Sequence, residues 1–302
     1  MPDQGPNKMY QVEFFEDSSA FFEHAGGKWE KDETRNSLIL GIASQLKQNS
    51  QAYGEQSPLM ALVNGDDGQI CASAVMTPPF PMIVQSDPLS IAALEALADS
   101  LVKKDVTLAG VNGLKETSDV FAQLWKEKSG QQARILTRLR SYELRKVEEL
   151  DYPPGNLRVA KESDAAMAAE WLRVMAEEAV AGPHPPSNPE RLLPGIRAER
   201  IFFWEDEGQI VSIGMANRPL AHSINVTGVY TPPSFRRRGY ARALVAEISK
   251  RMLAQGYEIV HLFTDLANPT SNKIYQEIGF RPVCDYHQYE FFDQAVNAVQ
   301  DF

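Results

Sequence analysis

The 302-residue chain has only two cysteines, Cys71 and Cys284. They make no metal-ligand or redox spacing, and each sits among apolar or strand-like neighbours, so both are expected to be buried, inert thiols. No hydrophobic run approaches the roughly 20 residues that span a bilayer. The opening "MPDQGPNKMY" has no apolar signal core, and the expectation is a cytoplasmic protein with no membrane partner. Positive charge is also scarce, with 30 Lys and Arg against 40 Asp and Glu, a net charge of −10. That balance argues against a broad nucleic-acid-binding face. Of the five histidines, His222, His261 and His287 lie in or beside strand-like segments at no ligand spacing, so structural roles are expected and no metal. A nucleotide-binding P-loop is excluded, because no G-K-[ST] follows the one arginine- and glycine-bearing turn.

What is present is the composition of a globular protein, 43% hydrophobic and 23% charged, in a chain long enough for two domains. The halves share a plan. "LMALVNGDDGQICASAVMTPP" in the first half and "RIFFWEDEGQIVSIGMANRP" in the second are each an apolar strand, a polar turn and a second strand. Their Gly-Gln-Ile triplets start at Gly68 and Gly208, 140 positions apart. After each hairpin come a strand, a helix, a strand and a helix: "PMIVQ", "PLSIAALEALADSLVKK", "VTLAGV" and "KETSDVFAQLWKEKSG", then "SINVTGVYT", "GYARALVAEISKRMLAQG", "IVHLFTDL" and "NPTSNKIYQEIGF". The order predicts two α/β domains of like topology, each a mixed β-sheet flanked by helices. Their boundaries are expected at 1–150 and 151–302, joined near "ELDYPPGN", where Pro153, Pro154 and Gly155 break regular structure. In the helix after Gly239, Ala241, Leu244, Val245, Ile248 and Met252 form one apolar stripe, with Arg242, Glu247 and Lys250 pointing away.

The halves differ at one turn. Between a strand and that helix the second half has Arg236, Arg237, Arg238, Gly239, Tyr240 and Ala241, where the first half has "QSDPLS" with an added carboxylate. Three arginines suit a helix start badly unless an anion sits there, because the positive end of the helix dipole lies at that end. The free N–H groups of the first turn, a glycine without a Cβ and the guanidinium groups make a phosphate or pyrophosphate site. A solvated basic loop is the alternative.

Arg236-x-x-Gly239-x-Ala241 resembles the R/Q-x-x-G-x-G/A signature of the GNAT superfamily of N-acetyltransferases. "DLANPTSNKIYQEIGFRPV", with Asn268, Tyr275 and Gly279-Phe280 in order, is similar to that family's second motif. The resemblance covers about Asn156 to Phe292, and the first half resembles the family by topology alone, as a degenerate copy. It implies two tandem GNAT-like domains with acetyl-CoA as co-substrate of the second. The backbone of Val229, Tyr230 and Thr231 would pair with the pantetheine arm along a splayed strand. The pyrophosphate would sit on the amides of Arg237 to Ala241. Asn268 would bond the pantetheine or fix the following loop, with Asn272 the lesser candidate, and Tyr275 would lie near the sulfur.

The implied reaction is attack of a primary amine on the thioester, with Tyr275 as general acid for the departing thiolate. A core-edge tyrosine is the other reading of that residue. Glu177 and Glu178 are candidate bases, and a solvated face is the other reading of both. An acceptor side over about Ser163 to Glu199 is expected, with a stiff "GPHPPSNPE" loop as a possible lid and Glu170, Glu177 and Glu178 as an acidic rim suited to a cationic amine. The acceptor is then a small-molecule or peptide amine, the first half a scaffold or a pocket wall, and a monomer plausible because the domains are tandem. The competing function is a non-catalytic acyl-CoA-binding sensor or interaction module, which would need the phosphate turn but not Tyr275.

Overall fold

The computed structural model describes residues 10–179 and 188–293. Residues 182–187 of the expected lid lie outside the described residues. The chain falls into two compact units, Met1–Leu139 with Asp285–Phe302, and Arg140–Cys284.

The first unit runs β1 (Gln11–Phe15), α1 (Ser18–Trp29), α2 (Glu33–Gln48), β2 (Leu59–Asn64), β3 (Ile70–Met76), β4 (Met82–Gln85), α3 (Ile91–Lys103), β5 (Gly110–Leu114), α4 (Lys115–Ser129) and β6 (Gln132–Leu144). The second runs β7 (Asn156–Val159), α5 (Ala165–Ala179), α6 (Leu193–Arg197), β8 (Ile201–Asp206), β9 (Gln209–Asn217), β10 (Ser223–Tyr230), α7 (Tyr240–Ala254), β11 (Ile259–Asp265), α8 (Pro269–Ile278) and β12 (Arg281–Phe292). Strand β6 ends, and β12 begins, within the second unit.

Strand pairing is mixed in each unit, for the reason the sequence offers. Tight hairpins join β2 to β3 and β8 to β9 in antiparallel pairs, and helical crossovers through α3 and α7 make β4–β5 and β10–β11 parallel. Gly68 and Gly208 occupy the same left-handed position in their hairpins, at φ +71° and +79°. Helix α7 buries Leu244, Val245, Ile248 and Met252 against β8, β9 and β10. Ala241 departs from the expected stripe. It is half-buried and faces a cleft, because it stands in the first turn of α7.

Three particulars differ from the sequence reading. The chain does not divide at a single point near 150. Regular structure runs unbroken through β6 to Leu144, and the part of β12 from Asp285 pairs antiparallel with β5, Tyr286 opposite Leu114 to Glu290 opposite Gly110. The strand expected at "VTLAGV" begins only at Gly110. A Cβ at Gly110 would lie 2.1 Å from the carbonyl oxygen of Tyr289, so close approach of the neighbouring backbone requires glycine where this strand begins. Cys71 and Cys284 are half-buried rather than buried; Cys71 is the second residue of β3, just beyond the hairpin turn, where its thiol reaches the carbonyl of Gln69 at 3.4 Å. Among the described residues no helix is long and apolar enough to cross a membrane.

Candidate active site

Parallel strands β10 and β11 pair over Ser223–Ile259, Ile224–Val260 and Asn225–His261 only. Beyond that register they continue to Tyr230 and Asp265 without pairing, so the two strands part. A bulge assists the parting. Thr227 faces Met215, but Tyr230 faces Ile213, so β10 carries one more residue than β9 over this stretch. Gly228 provides it, at φ +64°, and a Cβ there would meet Met215 Cε at 2.5 Å and Leu172 Cδ2 at 3.0 Å. Sequence reasoning missed Gly228; a glycine inside an otherwise β-branched strand was the available signal.

The cleft that follows has a volume of about 530 Å³, and Val229, Tyr230, Thr231, Arg236, Arg237, Gly239, Tyr240, Ala241, Asn268 and Tyr275 all line it. The structure thus brings ten of the expected cofactor and acid residues to one place, with the candidate base Glu178 beside them. Arg238 and Asn272 do not line it. Met175, Phe235, Arg242, Thr270, Ser271 and Ile274 were not foreseen there. On α8, Thr270 and Ser271 stand one turn from Ile274 and Tyr275, a spacing that could have found them.

The arginine turn closes in left-handed geometry twice, at Arg237 (φ +65°) and at Gly239 (φ +85°). A non-glycine residue held there carries local strain, a common feature of ligand-holding loops. Gly239 caps α7 without a side chain, and the first backbone bond of the helix is Ala243 N–H to Gly239 O at 3.0 Å. The amides of Gly239, Tyr240, Ala241 and Arg242 therefore have no protein partner among the described residues. The Tyr240 ring turns into the core, and its hydroxyl donates to Asp206 at 2.6 Å.

The three arginines are not equivalent. Arg236 donates to Glu178 at 2.6 Å and to the carbonyl of Thr231 at 2.8 Å. Arg238 folds back to the carbonyl of Ser234 at 3.3 Å and lies over the Phe235 ring. The exposed Arg237 side chain has no partner among the described residues and lines the cleft. In the first unit, the Ser90 side chain takes the amide of Ala93 at the start of α3, and Asp87 pairs with Arg35 at 2.5 Å. No comparable row of free donors is left at that turn.

Asn268 caps α8, accepting from the amide of Ser271 at 3.0 Å. Asn272 is committed elsewhere, its amide donating to the carbonyls of Asp265 and Asn268. Tyr275 is half-buried, its ring edge-on to Phe280 at 5.9 Å, and its hydroxyl has no partner among the described residues. Burial pushes the phenol up to about 12.

The candidate bases are engaged. Glu177 accepts from Arg173 at 2.5 Å, and Arg173 also holds Glu170, so one guanidinium balances two members of the expected acidic rim. Glu178 lines the cleft but is held by Arg236, with the Tyr230 hydroxyl at 3.4 Å. The histidines have structural partners: His261 with Asn225, His287 with Asp119, and exposed His222 with Glu258. Among the described residues no group of three His, Cys, Asp or Glu side chains is placed to hold a metal ion.

Residues 167–280, which carry the splayed strands, the turn and α8, match the sequence model of the acetyltransferase (GNAT) family. The chain carries a GNAT acetyltransferase domain. Acyl transfer is therefore its reaction class, and the enzyme reading stands. No curated protein matches the chain in sequence. Solved structures give the fold of the remainder. A GCN5-related N-acetyltransferase from Sphaerobacter thermophilus is similar at TM-score 0.59 and 16% identity, over 94% of this chain and 95% of that one. An acetyltransferase from the GNAT family of Colwellia psychrerythraea reaches TM-score 0.55 at 9% identity, over 93% and 98%. A tandem GNAT protein from the clavulanic acid biosynthesis pathway reaches TM-score 0.56 at 11% identity, over 93% and 98%. Such coverage extends the GNAT-like fold over the first unit, where no signature motif stands.

Proposed function

We propose that the GNAT domain transfers an acetyl group from acetyl-CoA to a primary amine of a small molecule or peptide. The observation that carries the reading is the presence in one cleft of four unpartnered amides on a helix start and an unpartnered phenol on the facing helix. The amides and the free Arg237 side chain fit a pyrophosphate. Nothing crowds the turn at Gly239, where a Cβ would find its nearest neighbour, Pro153, at 3.8 Å.

When bound, acetyl-CoA supplies a thioester, whose C–S bond breaks as the bond from the amine nitrogen to the acetyl carbon forms. The backbone of Val229, Tyr230 and Thr231 lies along the pantetheine arm, where the parted strands leave room. Asn268 holds the start of α8, so that Tyr275 faces the reacting end. With its pKa near 12, Tyr275 is protonated at neutral pH, as an acid must be. It gives its proton to the leaving sulfur and regains one from water. Glu177 and Glu178 are ion-paired, so the amine attacks in its neutral form and gives its proton to water.

The test is thiol release from acetyl-CoA across a panel of primary amines: polyamines, amino sugars, amino-acid amides and lysine peptides. Tyr275→Phe keeps the ring and removes the proton. It should lower kcat by about 10²–10⁴ while acetyl-CoA affinity barely changes. An unchanged rate removes the acid role from Tyr275, and tight acetyl-CoA binding with no transfer to any amine removes the enzyme assignment.

A further inference from the structure

The mechanism leaves unused a set of hydrogen bonds on the back of α8. Tyr142, in β6, is 1% exposed, and its ring is packed with Ile278 and Phe280 in the core of the second unit. Its hydroxyl lies 3.0 Å from Asn272 Oδ1 and 3.2 Å from Gln276 Nε2. The direction of each bond is fixed. Asn272 spends its NH₂ group on the carbonyls of Asp265, at 2.8 Å, and Asn268, at 2.7 Å, so only its oxygen remains to face Tyr142. The phenol must then donate to Asn272 and accept from Gln276. Every polar atom of this grip except the Gln276 oxygen has its partner inside it.

The grip sits nearly opposite the cleft. At about 100° per residue, Asn272 and Gln276 centre on a line about 150° around α8 from Thr270, Ser271, Ile274 and Tyr275. Of those four cleft-lining residues, Tyr275 is the nearest to the gripped face, about 60° from Asn272. Rotation of the helix would carry the phenol with it. The Tyr275 hydroxyl has no partner of its own to fix it among the described residues, so its placement is set by the ring's contact with Phe280 and by the orientation of α8.

We propose that Tyr142 is the positioning residue for Tyr275, holding α8 at the rotation that presents the phenol to the reacting end of the cleft. This rests on the acid role given to Tyr275 above. Tyr142 touches no reacting atom. It acts through Asn272 and Gln276, and this accounts for an asparagine of the motif that bonds inward rather than into the cleft.

The experiment uses the full chain with 3-fluorotyrosine placed at position 275, followed by ¹⁹F resonance against pH. With Tyr142 intact, one resonance is expected, titrating well above the free amino acid. Tyr142→Phe, which keeps the buried ring, should broaden or split the resonance and lower its pKa by at least about one unit, as the released phenol gains solvent. Gln276→Ala, an exposed change that removes half of the grip, should move it the same way by less. An unchanged resonance and titration in both variants overturns the proposal, whatever the reaction is. The kinetic arm is amine-dependent thiol release. Tyr142→Phe should lower kcat by about tenfold, leave KM for acetyl-CoA within about twofold, and add nothing in a Tyr275→Phe background. Losses that multiply in the double variant also overturn it. If Tyr275→Phe alone leaves kcat unchanged, the acid role fails, and the fluorine result still decides whether Tyr142 sets the placement of position 275.

Discussion

Arg236 and Glu178 form an ion pair at 2.6 Å between the arginine turn and α5, on the wall of the cleft that holds the free amides. Both side chains are 43% exposed, so the pair adds little to stability, on the order of 1 kcal/mol or less. Its consequence is for binding, because a guanidinium committed to a carboxylate is less available to a phosphate. Glu178→Gln should leave the melting temperature nearly unchanged and tighten acetyl-CoA binding severalfold in calorimetry. Weaker binding would mean that Glu178 orients Arg236 instead of restraining it.

The turn before α7 leaves its amides free, whereas the matching turn before α3 is capped by Ser90, so acetyl-CoA should bind at one site per chain. Gly239→Asp puts a side chain at φ +85° and a negative charge at the helix start. Calorimetry should go from one site to none, while the far-ultraviolet circular dichroism spectrum is kept. Two sites in the unaltered chain would show that the first unit also binds the ligand.

The bulge in β10 depends on Gly228. A Cβ there meets Met215 and Leu172 in a backbone conformation that L side chains rarely adopt. Gly228→Ala should cost about 1–3 kcal/mol in denaturant unfolding. It should also weaken acetyl-CoA binding, because removing the extra residue's geometry lets β10 close on β11. A stability loss with unchanged affinity would separate the bulge from the cleft.

His261 is 2% exposed, and burial, with a smaller contribution from Arg218, lowers its pKa to about 3. The neutral ring is the folded form, since protonation would put a charge in the core. The group's folded pKa lies below its unfolded value of 6.5, so its contribution is present above pH 6.5 and is lost as pH falls towards 3. This single site adds a slope of up to about 1.4 kcal/mol per pH unit over that window. His261→Gln should be less stable than the parent at pH 7, and the gap should narrow by pH 4.5 in urea titrations at each pH. A gap that stays constant would mean that the histidine is not buried neutral.

The elements and the turn were legible in local sequence pattern. Periodicity placed α7, the Gly-Gln-Ile repeat placed both hairpins, and the arginine run with Gly239 marked a helix start whose donors lack a side-chain cap. These are local properties, written in spacing and in backbone conformations that few residues adopt. What each polar group had left to offer depended on how the elements pack. Asn272 fits the motif by spacing but is committed to Tyr142, which stands far from it in the chain. Arg236 meets a carboxylate on α5, and Glu177 and Glu170 share Arg173, pairings that depend on which helix faces which. The course of β12 was hidden for the same reason, because strand pairing joins backbones and leaves little trace in side-chain type. The Gly110 contact with the Tyr289 carbonyl is the exception, a close approach that required the smallest residue.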